Sequence, residues 1–340
     1  MMRLSETYPR QSYQPRERSP FVRVSRRRPC PVCDHSNNCS VSQDGRVAYC
    51  RRVRGTKQGR DGGWVHILDA TTTPQARVAP TTRQTPPDRA SVDHLDAIHC
   101  KLLRECLTLT EGHRADLYRR GLTRVEIERL GFASTPTPEE GDQIARALAD
   151  YDLRGVPGFY REGDQWRMTK CRSGFFVPYR NPKGQIAALQ YRLDVPFDKT
   201  KYLWLSSANQ PGGASSGAPV HFANRHLMRA AEEVLVTEGG LKADVIACLA
   251  QTGVIGVAGV SCFGADFAAR LREDFPKVRR VVIAYDMDLI VKDEVFAALQ
   301  RLARQLEQAA YQVRVRTWPA QYKGFDDYLL SQLAGQEVAA

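Results

Sequence analysis

Long apolar runs are missing from this chain of 340 residues. Nowhere do about 18 apolar residues follow one another, the length a membrane helix needs. No apolar h-region follows the arginine-rich start, and "SRRRP" does not have the form of a twin-arginine export signal. The expectation is a cytoplasmic protein with no membrane partner. A Gly-x4-Gly-Lys-Ser/Thr loop is also lacking, which excludes a P-loop motor. A helicase working with this chain is therefore expected to be a separate polypeptide. There is no internal repeat. Acidic residues are scarce at the front: residues 1–60 hold 14 Lys and Arg against 4 Asp and Glu, a net +10, whereas the whole chain carries +11. That excess suits a phosphate backbone, where basic side chains release condensed counterions. Residues 1–20, polar and Pro-punctuated, read as a solvated tail.

With 42% hydrophobic and 26% charged residues, the composition is that of a soluble globular protein with room for two or three domains. Nine cysteines in such a chain argue for metal binding or plain burial rather than disulfides. Cys30, Cys33, Cys39 and Cys50 cluster within 21 residues, while Cys100, Cys106, Cys171, Cys248 and Cys262 are scattered and read mostly as small core hydrophobes. "CPVC" places two thiolates at i and i+3, fit to chelate one tetrahedral ion. Cys39 and Cys50 bracket "SVSQDGRVAY", a hairpin with Asp44-Gly45 at its turn, which returns Cys50 towards Cys39. The prediction is a Cys₄ zinc ribbon over 21–69, with His35 as the weaker rival ligand. Arg51, Arg52 and Arg54 beside the metal point to contact with template DNA; a zinc site that only folds the module is compatible with this.

Residues 70–90, rich in Thr and Pro, read as a linker. Residues 91–135 read as helical, with a Thr123-x-x-Glu126 capping pattern. From 156 to 205 the pattern is of strands, including a hairpin turning at "NPKG". "SSANQPGGASSGAP" reads as a flexible loop. After 231, strands alternate with helices: "EVLVT", "VIGVAGV", "RRVVIAYD" and "YQVRVRTWP" alternate with three helical segments. That alternation predicts a mostly parallel, doubly covered sheet, so the chain is α/β overall. Working residues in such sheets sit beyond the carboxyl ends of the strands. Glu238 follows one strand and precedes Gly239-Gly240; Asp286 and Asp288 follow another and point to one side. Such carboxylates repel unless a cation lies between them, and all-oxygen ligation suits Mg²⁺ or Mn²⁺. The bland alternative for Glu238 is a helix cap.

On these residues, 231–330 resembles a TOPRIM domain, the fold shared by bacterial primases, topoisomerases and some nucleases. The resemblance implies Glu238 as general acid/base and Asp286 and Asp288 as magnesium ligands, with Asp326 or Asp327 of "KGFDDYLL" as a weaker addition. "YRRGLTRVEIERLGFAS" and "FFVPYRNPKGQIAALQYRLD…TKYLWLSS" resemble the basic subdomain of DnaG-type primases, placed here at 91–230. The matching cations are Arg180, Arg192 and Lys201, expected to face the metal site and hold nucleotide and template phosphates together with Lys242. "CRR" and "GGWVH" resemble the zinc ribbons of primase-like proteins from phages and mobile elements. Two departures stand out: Lys242 occupies a position where DnaG-type primases usually carry aspartate, and "LIVK" replaces the Ala-Gly that usually follows the Asp-x-Asp pair. The resemblance implies primer synthesis on single-stranded DNA from nucleoside triphosphates, with one structural zinc and catalytic Mg²⁺ or Mn²⁺. A metal-dependent nuclease and a DNA-binding regulator without turnover remain as alternatives, and Lys242 is the feature that keeps the second open.

Overall fold

The computed structural model describes residues 21–25, 28–43, 45–53, 55, 57–58, 63–68, 89–198, 200–260, 262–264, 266–287 and 293–337. Asp44, Arg54, Asp288 and all but the last two residues of the expected linker lie outside them. The chain forms two compact units, residues 1–83 and 84–340.

The first unit is a small antiparallel sheet. Its strands are β1 (Phe21–Arg23), β2 (Ser40–Ser42), β3 (Val47–Cys50), β4 (Lys57–Gln58) and β5 (Trp64–Ile67), ordered β1-β2-β3-β5-β4. The expected hairpin is β2 with β3, pairing Ser40 with Tyr49. The small core of this unit is made of Cys30, Cys39 and Cys50 with Val24, Val41 and Ala48. So few apolar groups fold poorly without a metal or disulfide to help.

The second unit opens with α1 (Val92–Lys101), a π-helical turn (Leu102–Cys106), α2 (Glu111–Arg119) and α3 (Arg124–Leu130). Thr123 and Glu126 make the expected capping box on α3. Then come β6 (Ala133–Ser134), α4 (Pro138–Ala147) and the ribbon of β7 (Phe159–Glu162) and β8 (Gln165–Met168). Strands β9 (Gly174–Arg180), β10 (Ile186–Phe197) and β11 (Thr200–Trp204) complete an antiparallel sheet ordered β11-β10-β9-β6. The "NPKG" turn joins β9 to β10. One face of this sheet packs on α1 and α4. The other meets α2, α3 and, further along the chain, α6 (Gly240–Leu249).

The remaining elements are β12 (His221–Ala223), α5 (Arg225–Ala230), β13 (Glu233–Glu238), β14 (Val254–Val257), α7 (Phe267–Asp274), β15 (Arg280–Ile283), α8 (Asp293–Gln308), β16 (Gln312–Val315) and α9 (Phe325–Glu337). Their sheet is ordered β12-β14-β13-β15-β16 and is parallel except at β12. Residues of α7 and α8 cover one face, α6 and α9 the other, as the alternation of apolar strands and amphipathic helices predicts. The whole is a mixed α/β fold. Among the described residues no helix is long and apolar enough to cross a membrane.

One expectation needs correction. The Gly/Ser-rich stretch after β11 is not a flexible loop. Buried Ser207 donates to Phe159 O (2.7 Å) and accepts from Ala214 N–H (3.0 Å) and Gly158 N–H (3.2 Å). Small residues let this backbone close on itself rather than leaving it loose. The scattered cysteines behave as expected for most of them: Cys248 is buried in a core, and Cys100, Cys106 and Cys171 pack half-buried against another, while Cys262 is exposed.

Candidate functional site

In the first unit, the four cysteine Sγ atoms all lie within 4.8 Å of one another. Cys33 and Cys39 are 3.7 Å apart, Cys39 and Cys50 4.0 Å. A tetrahedral zinc with Zn–S near 2.3 Å has ligand edges of about 3.8 Å. The donor set therefore fits one zinc ion. Backbone N–H groups of Arg52 and Val53 both donate to Cys50 Sγ at 3.4 Å. Burial pushes the Cys30 thiol up to about 12. Burial also pushes on Cys33, but the His35 backbone and the neighbouring thiols outweigh it and leave that thiol at about 6. A thiol so far lowered is ready to ligate. His35 turns its Nδ1 to Cys33 O (2.7 Å) and stays exposed, away from the ligand set. Arg52 is not free for a template: its guanidinium donates to Asn37 O (3.0 Å), Asn37 Oδ1 (2.8 Å) and Cys39 Sγ (3.9 Å). Arg51 is exposed.

In the second unit, Glu238 ends β13 and Asp286 follows β15, so neighbouring parallel strands carry both carboxylates to the carboxyl edge of the sheet. The chain turns sharply at Gly239 (φ +91°), and no side chain caps α6. Gly240 lies under the Tyr179 ring, and a Cβ there would come 2.6 Å from it. The Tyr179 hydroxyl accepts from Gly240 N–H (2.9 Å) and donates to Gln190 Oε1 (3.0 Å), which pins the antiparallel sheet to the turn after Glu238.

Lys242, one turn into α6, donates from its ammonium to Asp286 Oδ1. Burial opposes that charge, but Asp286, with Asp326 and Glu238 adding to it, outweighs burial, and the lysine pKa ends above its usual value. Asp326, in the first turn of α9, is buried, and its Oδ1 has no hydrogen-bond partner among the described residues. Burial, with Asp327 and Asp286 nearby, raises its pKa against the pull of Lys242 and Arg120. Met287 N–H bonds Lys323 O (3.0 Å), tying the Asp286 loop to the approach of α9. The cation at the centre of these carboxylates is thus a lysine. Among the described residues the cysteine tetrad is the only group of three or more metal-ligating side chains in reach of one another. Asp286 as placed here is held by Lys242, and the third expected magnesium or manganese ligand, Asp288, is outside the described residues.

Arg192, on β10, donates to Asp116 Oδ2 (3.0 Å), which Arg120 also reaches (3.3 Å). Burial would raise the Asp116 carboxyl, but Arg120 and Arg192 hold it below the usual range. Asp116, Arg119, Arg120, Asp326 and Asp327 line one cleft of about 200 Å³. Sequence reading missed Asp116 and Arg120. Their i, i+4 spacing on α2 resembles an ordinary surface pair. Tyr202, paired with Arg192 across β10 and β11, lies in the field of Arg120, Arg192, Lys242 and Asp326. Lys201 is exposed, and strand alternation turns it to the opposite face from Tyr202. Arg180, expected on the same wall as Arg192, instead donates to Leu130 O (3.1 Å) and Gly184 O (3.2 Å).

A family model described as a domain of unknown function, DUF3854, matches residues 227–336. Among curated proteins, none matches the chain. Solved structures do. A primase from Aquifex aeolicus, comprising zinc-binding and RNA polymerase domains, superposes with a TM-score of 0.54 at 16% identity, over 74% of this chain and 60% of that one. The RNA polymerase domain of Mycobacterium tuberculosis primase DnaG gives 0.54 at 15% identity, over 72% of this chain and 84% of that one. A DnaG primase catalytic domain bound to single-stranded DNA gives 0.50 at 17% identity, over 73% and 77%. The chain therefore spans less than two thirds of the Aquifex chain it matches. What it shares with these proteins is the fold of a bacterial primase catalytic core.

Proposed function

We propose that the chain is a primase-like nucleotidyltransferase that acts on single-stranded DNA with nucleoside triphosphates, its residues 231–330 forming a TOPRIM-like domain. One observation carries this reading: Glu238 and Asp286 stand at adjoining parallel strand ends, and the field of Lys242, Arg120 and Arg192 converges on the same region. Guanidinium groups suit phosphate oxygens because their planar forks donate two parallel bonds. Arg120 and Arg192 both lean on Asp116, so an incoming triphosphate competes with one carboxylate for two cations. Glu238 is the group assigned to proton transfer at the attacking hydroxyl. Zinc, when bound, holds the first unit's fold together, and Arg51 of that unit is offered to template phosphates. No step is assigned to magnesium or manganese, since Lys242 already holds Asp286.

A second reading, DNA binding without turnover, is favoured by the same Lys242–Asp286 pair. Labelled-nucleotide incorporation on single-stranded DNA separates the two. Oligonucleotide products made by the native chain and lost in Glu238→Gln support synthesis. Retained DNA binding with no product under any divalent ion supports the binding-only reading. Cleavage of DNA without added nucleotides identifies a nuclease and ends the primase reading.

A further inference from the structure

A cavity of about 400 Å³ lies among α1, α3, the β9–β10 turn and α5, and four arginines line it: Arg104, Arg129, Arg180 and Arg225. Two carboxylates also line it, and both are engaged elsewhere. Asp244 Oδ1 accepts from the buried His221 Nε2 (2.9 Å). Asp96 Oδ1 accepts from Ile186 N–H (2.7 Å) and the Cys100 thiol (3.6 Å). Among the described residues none of the four guanidinium groups forms an ion pair with a carboxylate. Arg180 is braced by carbonyl oxygens of Leu130 and Gly184, which fix its fork without cancelling its charge. Burial lowers the Arg180 pKa, with Arg104 adding to it, against the pull of Asp244 and Asp96, which partly offset its charge.

The backbone is shaped to place Arg225. Asn224, just before it, adopts a left-handed conformation (φ 51°, ψ 49°), which asparagine tolerates better than most residues. Gly184 (φ +92°) leaves open the space where a Cβ would stand 2.2 Å from Arg225 Cζ. Asp244, at the edge of this cavity, and Lys242, at the acidic cluster, are two residues apart on α6, hence about 200° apart around it. The cavity and the Lys242–Asp286 site therefore occupy opposite sides of one helix. Four guanidinium groups against two carboxylates leave the lining of this small-ligand-sized cavity with a net positive charge, which matches a compact polyanion, and their forks match phosphate best.

We propose that this cavity is a second binding site, separate from the Lys242–Asp286 cluster, that takes the di- or triphosphate group of a small molecule through Arg180 and Arg225. It stands independently of the proposed reaction. The same phosphate chemistry is available from a free polyphosphate or from a nucleic-acid strand, and the test separates them. The full chain is titrated by calorimetry with inorganic tripolyphosphate, with a nucleoside triphosphate and with a short single-stranded oligonucleotide. One tripolyphosphate per chain is expected to depend on Arg225, apart from any held by Arg120 and Arg192, and Arg225→Gln is expected to weaken that one about tenfold, the loss of a charge-assisted contact. Gly184→Ala is expected to weaken it too, by displacing Arg225, whereas Arg161→Gln, outside the cavity, leaves it unchanged. Should Arg225→Gln not fold, Arg104→Gln is read in the same way. Tripolyphosphate that fails to bind, or binds the arginine variants as tightly as the native chain, overturns the site. Arg225-dependent binding of the oligonucleotide alone overturns the small-molecule assignment.

Discussion

The ammonium of Lys242 meets Asp286 Oδ1 at the carboxyl edge of the parallel sheet, with 8% of the Asp286 side chain exposed against 23% for the lysine. A carboxylate expected to hold a metal is held by a side chain of the same protein. Removing the lysine leaves Asp286 buried without a partner, which costs about 2–4 kcal/mol after allowing for partial exposure. Lys242→Met is expected to show that loss in urea denaturation, and adding Asp286→Leu is expected to recover much of it. Lys242→Asp should bind terbium, read by sensitised luminescence, where the native chain does not. Equal terbium binding by both would show that Lys242 does not block the site.

Because Asp286 raises the Lys242 pKa despite burial, the pair's contribution is present in full below the ordinary lysine value. It is lost as pH rises through the higher folded value. Native chain and Lys242→Met are therefore expected to converge in stability at strongly alkaline pH. A gap that stays constant there would remove the ionic account of the pair.

His99 supplies the opposite dependence. Burial lowers its pKa to about 4, and its Nε2 has no partner among the described residues. Its folded value lies below the ordinary 6.5, so the neutral ring stabilises fully above 6.5, and this is lost as pH falls towards 4. The full difference is roughly 3 kcal/mol. His99→Leu is expected to flatten the stability profile between pH 6.5 and 4 relative to the native chain. Parallel profiles would show that His99 is not the titrating group.

Zinc removal should act on the first unit alone. Chelation, or Cys50→Ser, is expected to expose residues 21–68 to protease while the second unit keeps its melting transition, because the cores are separate. Metal analysis should give one zinc per native chain and much less in Cys50→Ser. Full zinc retention in that variant would remove Cys50 from the ligand set.

Tyr179→Phe tests the joint between the sheets. Losing its hydroxyl strands the buried Gly240 N–H, at a cost of about 1–3 kcal/mol. A smaller effect in thermal unfolding would mean that Gly240 finds another acceptor.

The carboxyl edge of the parallel sheet was legible because Glu238 and Asp286 interrupt apolar strands, and the cysteine tetrad because its spacing is that of a chelate. What escaped depended on distant partners. Nothing local marks Asp116 as the carboxylate Arg192 leans on, 76 residues away. Nothing local turns Arg180 towards carbonyl oxygens instead of the acidic cluster. Helix α4 was within reach: Thr137, Pro138 and Glu140 are a helix-start signal, and they do form a capping box. The Ser207 loop misled because glycine and serine are shared by flexible chains and by tightly closed ones.

His221 is bonded on both sides: its Nδ1 takes Arg180 N–H (2.9 Å) from β9, and its Nε2 donates to Asp244 on α6. Those two bonds require a neutral ring with its proton on Nε2. Together with the Tyr179 clasp, the imidazole makes the seam between the antiparallel and parallel sheets rigid. Opening along that seam would leave polar groups stranded in a dry interior, so the two sheets behave as one anvil.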